Sequence, residues 1–204
     1  IMKEFGTMED FDELLSKVHE KGMRLIMDLV VNHTSDEHEW FQSALKDKNS
    51  PYRDYYFFSK EPNNWTSFFS GPAWNHYEEE DIYALHLFSK KQMDLNWDNE
   101  NLRKDIIKMV NWWLSKGVDG FRMDVINFIS KEEGLPAVET EEEGYVSGHK
   151  YFMNGPNIHK YLHEMNEEVF NNDSMFIGGA INPNVLNKDV EYNRMMKKVE
   201  NGAK

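Results

Sequence analysis

The sequence contains no cysteine among its 204 residues. That excludes a disulfide framework and any metal site built on thiolates. No apolar run approaches the roughly 20 residues needed to span a bilayer as a helix. The start, Ile1-Met2-Lys3-Glu4, lacks the pattern of a signal peptide. Basic residues are in short supply as well: 23 Lys and Arg stand against 36 Asp and Glu, a formal net charge of -13. Such a balance argues against nucleic acid or an anionic membrane surface as a partner. A reduced, cytoplasmic setting fits these absences best. Asn64-Trp65-Thr66 and Asn172-Asp173-Ser174 match the glycosylation pattern and are read as chance.

What is present is a folding composition: 40% apolar residues, with aromatics at 14%. This suits a globular domain with a real core. Thr7 followed by Asp10 predicts a capped helix, with Phe11, Leu14, Leu15 and Val18 at helical spacing and Gly22 as its stop. An apolar run from Met23 to Val31 follows, closed by Asn32 and His33. The same order returns at Asp98 or Asn99, where a helix carrying Leu102, Ile106, Met109, Val110 and Trp113 ends at Gly117 before a strand near 118–126. A third helix near Pro156 leads to Met175-Phe176-Ile177-Gly178. Strands buried on both faces and separated by amphipathic helices imply a parallel sheet.

Two connections exceed ordinary loops. The first, from Thr34 to about Asp94, is dense in aromatics and predicts a small inserted subdomain, with Tyr55–Phe58 and Tyr83–Leu87 as short strands. Most of its rings should form a core, with one or two left to face a ligand such as a sugar. The second, about Ser130 to Gly155, carries Glu139-Thr140-Glu141-Glu142-Glu143, a charge run that reads as a solvated loop.

Polar groups interrupt two of the apolar strands. Asp28 sits inside the first, and Arg122 and Asp124 inside Gly120-Phe121-Arg122-Met123-Asp124-Val125. Residues two apart on an extended chain leave the same face, so a guanidinium would lie beside a carboxylate and favour its ionised form. A structural ion pair and a catalytic carboxylate both satisfy that pattern. Polar residues at the carboxyl ends of parallel strands point to a site there. His33, Asp36, Glu37 and His38 are spaced like no zinc or calcium template, so no metal is expected.

Asp28-Leu29-Val30-Val31-Asn32-His33, Gly120 to Asn127, and Gln92-Met93-Asp94-Leu95-Asn96 resemble, in order, signature segments of the α-amylase family of glycoside hydrolases. The runs from Asn127 to Pro136 and from Met153 to Pro156 are similar to its oligo-1,6-glucosidase and α-glucosidase branch. The resemblance covers roughly Phe5 to Gly178. It implies an α/β fold, a partial (β/α)8 TIM barrel comprising about strands three to five with their helices. An inserted α+β B subdomain at 35–94 would separate barrel segments 1–34 and 95–204. It further implies a retaining α-glucosidase site for short oligosaccharides of the isomaltose type, acting on α-1,6 bonds, with α-1,4 bonds as the second option. Asp124 would be the nucleophile. Asp28, His33 and Arg122 would bind the terminal glucose. Val125 resembles the residue of α-1,6-acting members, where α-1,4-preferring relatives often carry threonine. No cofactor and no calcium is implied, although Asn32 has a counterpart in calcium-binding amylases.

The sequence departs from the family in three respects. Segments for the other barrel strands are not recognisable, and a later His-Asp pair is missing. Gly178-Gly179 stands where the family has Gly-Glu, whose glutamate is the general acid. A retaining glycosidase needs two carboxyl groups roughly 5–5.5 Å apart. The chain alone is therefore expected to be inactive, and open barrel edges predict self-association. A non-catalytic carbohydrate-binding fragment is the alternative. The membrane-transport subunits that use an inactive amylase-like domain would need a membrane helix, which the sequence does not contain.

Overall fold

Helix α1 (Met8–Glu20) begins where two orphan backbone donors find partners close by in sequence. Thr7 Oγ1 accepts from the Asp10 N–H, and Asp10 Oδ2 accepts from the Thr7 N–H at 2.7 Å, the expected capping box. Gly22 ends it in the left-handed region, φ 68°. Strand β1 (Ile26–Val30) follows, then a turn into β2 (His33–Ser35). After the long insertion, α3 (Glu100–Ser115) starts at Asn99, whose side chain accepts from the Leu102 N–H. It stops at Gly117, φ 101°, ahead of β7 (Gly120–Asp124). β1 and β7 pair in parallel, Ile26 opposite Gly120 through Val30 opposite Asp124. The predicted strand–helix–strand unit is thus present, with the insertion between β1 and α3.

These elements belong to a computed structural model that describes residues 1–139, 148, 151, 157–170, 188–189, 192–193 and 195–196. The predicted strand at Met175–Gly178, Gly179, the second glycosylation-like triplet and the rest of the glutamate run lie outside the described residues; Glu139 itself is exposed. The chain divides into two units, Ile1–Leu162 and His163–Lys204. Helix α4 spans Ile158–Phe170. In the second unit, His163 and Glu167 pair at 3.1 Å one turn apart. Among the described residues no helix is long and apolar enough to cross a membrane.

The expectation of strands buried on both faces does not hold. In β1 only Leu29 is buried, while Ile26 is 64% exposed and Val30 42%. The reason is topological: among the described residues β1 and β7 pair only with each other.

The insertion holds α2 (Glu39–Lys46), β3 (Phe58–Ser59), β4 (Trp74–Tyr77), β5 (Ile82–Leu85) and β6 (Gln92–Asp94). β3, β5 and β4 form an antiparallel sheet in that order, and β2 pairs antiparallel with β6. The two predicted strands therefore exist, displaced from their expected bounds. Tyr55 closes a 3-10 turn, Arg53–Tyr55, with its hydroxyl donating to Asp105 at 2.7 Å, and Tyr56 makes one bridge to Leu95. Trp65, Ala73, Trp74, Leu85, Leu87, Phe128 and Val138 form a buried core beneath this sheet.

The connection after β7 is anchored at its start, before the glutamate run. Asn64 pairs with Val138 in the manner of a strand, its Nδ2 donating to the carbonyl at 2.9 Å and its Oδ1 accepting from the N–H at 2.8 Å. Trp65 Nε1 donates to the Pro136 carbonyl at 2.9 Å and Asn63 Nδ2 to that of Leu135, also at 2.9 Å. The first glycosylation-like triplet thus has a structural task for its asparagine.

Candidate active site

Parallel register brings the polar interruptions of two strands into one group. Asp28 lies opposite Arg122, so their side chains leave the sheet on one face, and Asp124 joins them two residues on. Arg122 Nη1 donates to Asp28 Oδ1 at 2.6 Å and to Asp124 Oδ1 at 2.9 Å. One guanidinium nitrogen bridges two carboxylates. The bond to Asp28, then that to Asp124, pushes the Arg122 pKa up from its already high value. The trio faces solvent, with side-chain exposures of 61% for Arg122, 53% for Asp28 and 27% for Asp124. Asp124 is the most sheltered of the three and ends its strand.

His33 enters from β2 and is buried. Gln92 on β6 places Nε2 at 2.9 Å from His33 Nε2, its own Oε1 being occupied by the Ser89 N–H. Asn32 Nδ2 lies at 3.3 Å from His33 Nδ1. Two side-chain amides thus flank the ring, and only the ring nitrogen that carries no proton can accept from one of them. Burial lowers the His33 pKa, against the opposing pull of Asp94 and Asp124. Burial thus favours the neutral form of His33, whose ring also feels the charge of Asp124. The Phe88 ring packs on it with centroids 5.6 Å apart. Phe69, exposed at the rim, packs edge-on against Phe88 at 5.9 Å.

Beneath this face lies a buried polar knot. Lys131 Nζ sits 2.8 Å from Asp94 Oδ2 and donates to Asn32 Oδ1 at 3.1 Å. Asp94 also accepts from Asn32 Nδ2 at 3.1 Å and from the Leu87 N–H at 2.9 Å. Two oxygens of the type that ligate a hard cation therefore converge on a cation the chain itself supplies. Among the described residues no three His, Asp or Glu side chains are grouped to hold a metal. The His33, Asp36, Glu37 and His38 set is dispersed in other tasks. His38 Nδ1 caps α2 by accepting from the Trp40 N–H, and Glu37 pairs with Lys91 at 3.3 Å.

Val125 is half-buried, and its side chain packs against the aromatic core of the insertion. Its backbone is left-handed, φ 39° and ψ 37°. A separate cleft of about 770 Å³ opens between the insertion and residues 132–137, lined in part by Phe57, Asn63, Trp74 and Glu132. None of Asp28, His33, Arg122 or Asp124 lines it.

Sequence reasoning had no role for Lys131, Gln92 or Phe88. Gln92 lies within the segment Gln92–Asn96, five positions beyond the expected strand Tyr83–Leu87. Lys131, next to Glu132 and Glu133, carries the signature of a surface charge.

Comparison with known proteins gives a consistent neighbourhood. The Alpha-amylase family (Alpha amylase, catalytic domain) matches residues 1–198. The oligo-1,6-glucosidase of Bacillus cereus is 68% identical over 184 residues, which are 87% of this chain and 33% of that protein. The crystal structure of Bacillus licheniformis trehalose-6-phosphate hydrolase aligns with a TM-score of 0.78 at 47% identity, over 84% of this chain and 31% of that one. The isomaltulose synthase of Protaminobacter rubrum aligns with a TM-score of 0.78 at 44% identity, over 86% and 32%. The chain spans about a third of the length of these relatives.

Proposed function

Because the chain belongs to the α-amylase catalytic-domain family, we propose that the Asp28–Arg122–Asp124 face is the sugar-binding half of a retaining α-glucosidase site. In this reading residues 1–34 and 95–204 are barrel segments, and 35–94 are the inserted B subdomain. The substrate is a short α-linked oligosaccharide with a terminal glucose, of the isomaltose type, cleaved at α-1,6 bonds and secondarily at α-1,4 bonds.

The observation that carries the reading is the pair of hydrogen bonds that Arg122 Nη1 donates to Asp28 and Asp124. A nucleophilic carboxylate must be ionised and aimed. Arg122 serves the aiming, since its hydrogen bond holds one Asp124 oxygen. The other Asp124 oxygen is left to approach the anomeric carbon. In this reading Asp28 binds sugar hydroxyls beside it, and His33 belongs to the same sugar-binding set. Such bonds tighten as the sugar flattens toward the transition state. Phe69 and Phe88 offer apolar ring faces of the kind that pack on sugars.

The second reading, carbohydrate binding without hydrolysis, is favoured by Gly179 at the position where the family resemblance expects the acid. Loss of acid catalysis alone commonly removes about 10²–10⁴-fold of rate. An activated donor separates the two readings. With 5-fluoro-α-glucosyl fluoride the C1–F bond breaks, fluoride leaves with the electron pair, and an Asp124 oxygen forms the new bond to C1. No proton donor is needed. The expected result is one glucosyl unit on the peptide containing Asp124 in the mass spectrum, and none on an Asp124→Asn variant. Isomaltose binding by calorimetry without any such adduct would favour the binding reading instead.

Exposed Ile26 and Val30 on β1 also support self-association along this sheet. Sedimentation at rising concentration should reveal it, and a constant monomer mass would refute it.

A further inference from the structure

We propose that Val125 is a positioning residue: its left-handed backbone, held by packing in the insertion's core, sets the direction in which Asp124 leaves strand β7. The proposal deepens the reading of Asp124 as nucleophile and rests on it for its catalytic meaning. A β-branched residue at φ 39° is a true outlier, because its Cβ crowds the backbone there. Two contacts hold it in place. The side chain packs on the cluster that contains Trp65, Leu87 and Phe128. Its carbonyl accepts from the Phe128 N–H at 2.9 Å, closing the short 3-10 turn Ile126–Phe128.

Consider the alternative backbone. With an ordinary extended φ, β7 would continue past Asp124, and Val125 would simply take the opposite face. The left-handed step ends the strand at Asp124 instead and turns the chain down into the core. Asp124 then sits at a strand end, 2.9 Å from Arg122, with one side open. The half-buried isopropyl group, packed against that cluster, is what keeps the strained step from relaxing. Val125 thereby links the inserted subdomain's packing to the aim of a carboxylate on the parallel strands. It does so through the backbone and needs no contact with a ligand.

The test uses the whole chain, three variants of Val125 and two reference variants, at Asp124 and Leu15. Glycine tolerates positive φ and alanine does not, so Val125→Gly should be more stable than Val125→Ala by about fivefold in the folding equilibrium. At an ordinary φ that order reverses. The second readout is the guanidinium signal of Arg122 in ¹H–¹⁵N spectra, with Asp124→Ala as the reference for a lost bond. Val125→Thr keeps the branched shape and should keep the wild-type Arg122 signal. Val125→Ala and Val125→Gly should move it toward that reference, while a destabilising change at Leu15, buried in α1, should leave it in place. Neither readout involves a sugar, so a failed glucosylation of Asp124 would remove the nucleophile and not the positioning. Alanine equal to or better than glycine, or an Arg122 signal unmoved in both small variants, would overturn the proposal.

Discussion

Lys131 Nζ lies 2.8 Å from the Asp94 carboxylate, with side-chain exposures of 1% and 0%. A buried pair of this kind is weak evidence for net stability, since desolvating both ions offsets most of their attraction. Breaking it from one side is another matter. Asp94 would be left buried with the Asn32 amide and the Leu87 N–H as its partners among the described residues. Lys131→Met should therefore cost about 3–5 kcal/mol of unfolding free energy, measured by urea titration. Lys131→Met combined with Asp94→Asn, which removes both charges, should recover part of that loss. A double variant no better than the single one would refute the account.

Three histidines point to acid sensitivity. Burial lowers the pKa of His33, His86 and His38 below the ordinary value of 6.5. His86 is the sharpest instance, because Nδ1 faces the Phe88 carbonyl at 3.2 Å while Nε2 is buried without a partner among the described residues. The unfolded chain binds protons at these sites before the folded chain does. Their stabilisation is thus full above pH 6.5 and is lost progressively as the pH falls below it. Each site contributes a slope of at most about 1.4 kcal/mol per pH unit. Denaturation midpoints should be flat between pH 7 and 8 and drop toward pH 5. His86→Gln should flatten that drop.

Much of the local structure was legible before the fold was known, because its causes are local. Thr7 and Asp10 are three residues apart, Asn99 caps the helix it precedes, and Gly117 ends that helix. The approach of Arg122 to Asp28 spans 94 positions in sequence. Spacing fixed only which strand face each would take; the register that sets them opposite one another comes from packing. Lys131 was opaque for the opposite reason, since local composition marks it as a surface charge and only the converging Asn32 and Asp94 oxygens explain its burial. The left-handed Val125 was hidden as well: a valine in an apolar run reads as strand. The exposure of Ile26 and Val30 could not be inferred from composition, because apolar residues carry no record of whether a neighbour covers them.

Arg122 should matter to chemistry far more than to folding. Its side chain is largely exposed, so Arg122→Met should leave the melting temperature nearly unchanged. Removing it takes away the group that fixes Asp124, and electrostatic donors at reacting charges are commonly worth about 10²-fold or more. The rate of glucosylation of Asp124 by the fluoride donor should fall by about that factor. Arg122→Lys should recover little, because a single ammonium reproduces the bridging geometry of a planar guanidinium poorly. An unchanged rate in Arg122→Met would remove Arg122 from the mechanism.

Asp119 offers the complementary case, a carboxylate whose work is wholly structural. It lies at the opposite end of β7 from Asp124, and only 11% of its side chain is exposed. Oδ1 accepts from Arg24 Nη1 at 2.7 Å; Oδ2 takes the Leu25 N–H at 2.8 Å and lies 2.8 Å from His19 Nε2 on α1. The Arg24 bond, then the Leu25 amide and His19, hold its pKa well below the ordinary carboxylate range. Asp119 thus ties α1, the start of β1 and the start of β7 to one group. Asp119→Ala should lower the melting temperature more than His19→Ala or Arg24→Ala, because it alone leaves the Leu25 N–H without its partner. Its depressed pKa adds stability that is complete above pH 3.8 and disappears as the pH falls through the folded value. The melting temperature of Asp119→Asn should accordingly vary less with pH on the acid side than that of the parent chain. Equal acid slopes in the two proteins would show that this clamp carries no linked proton.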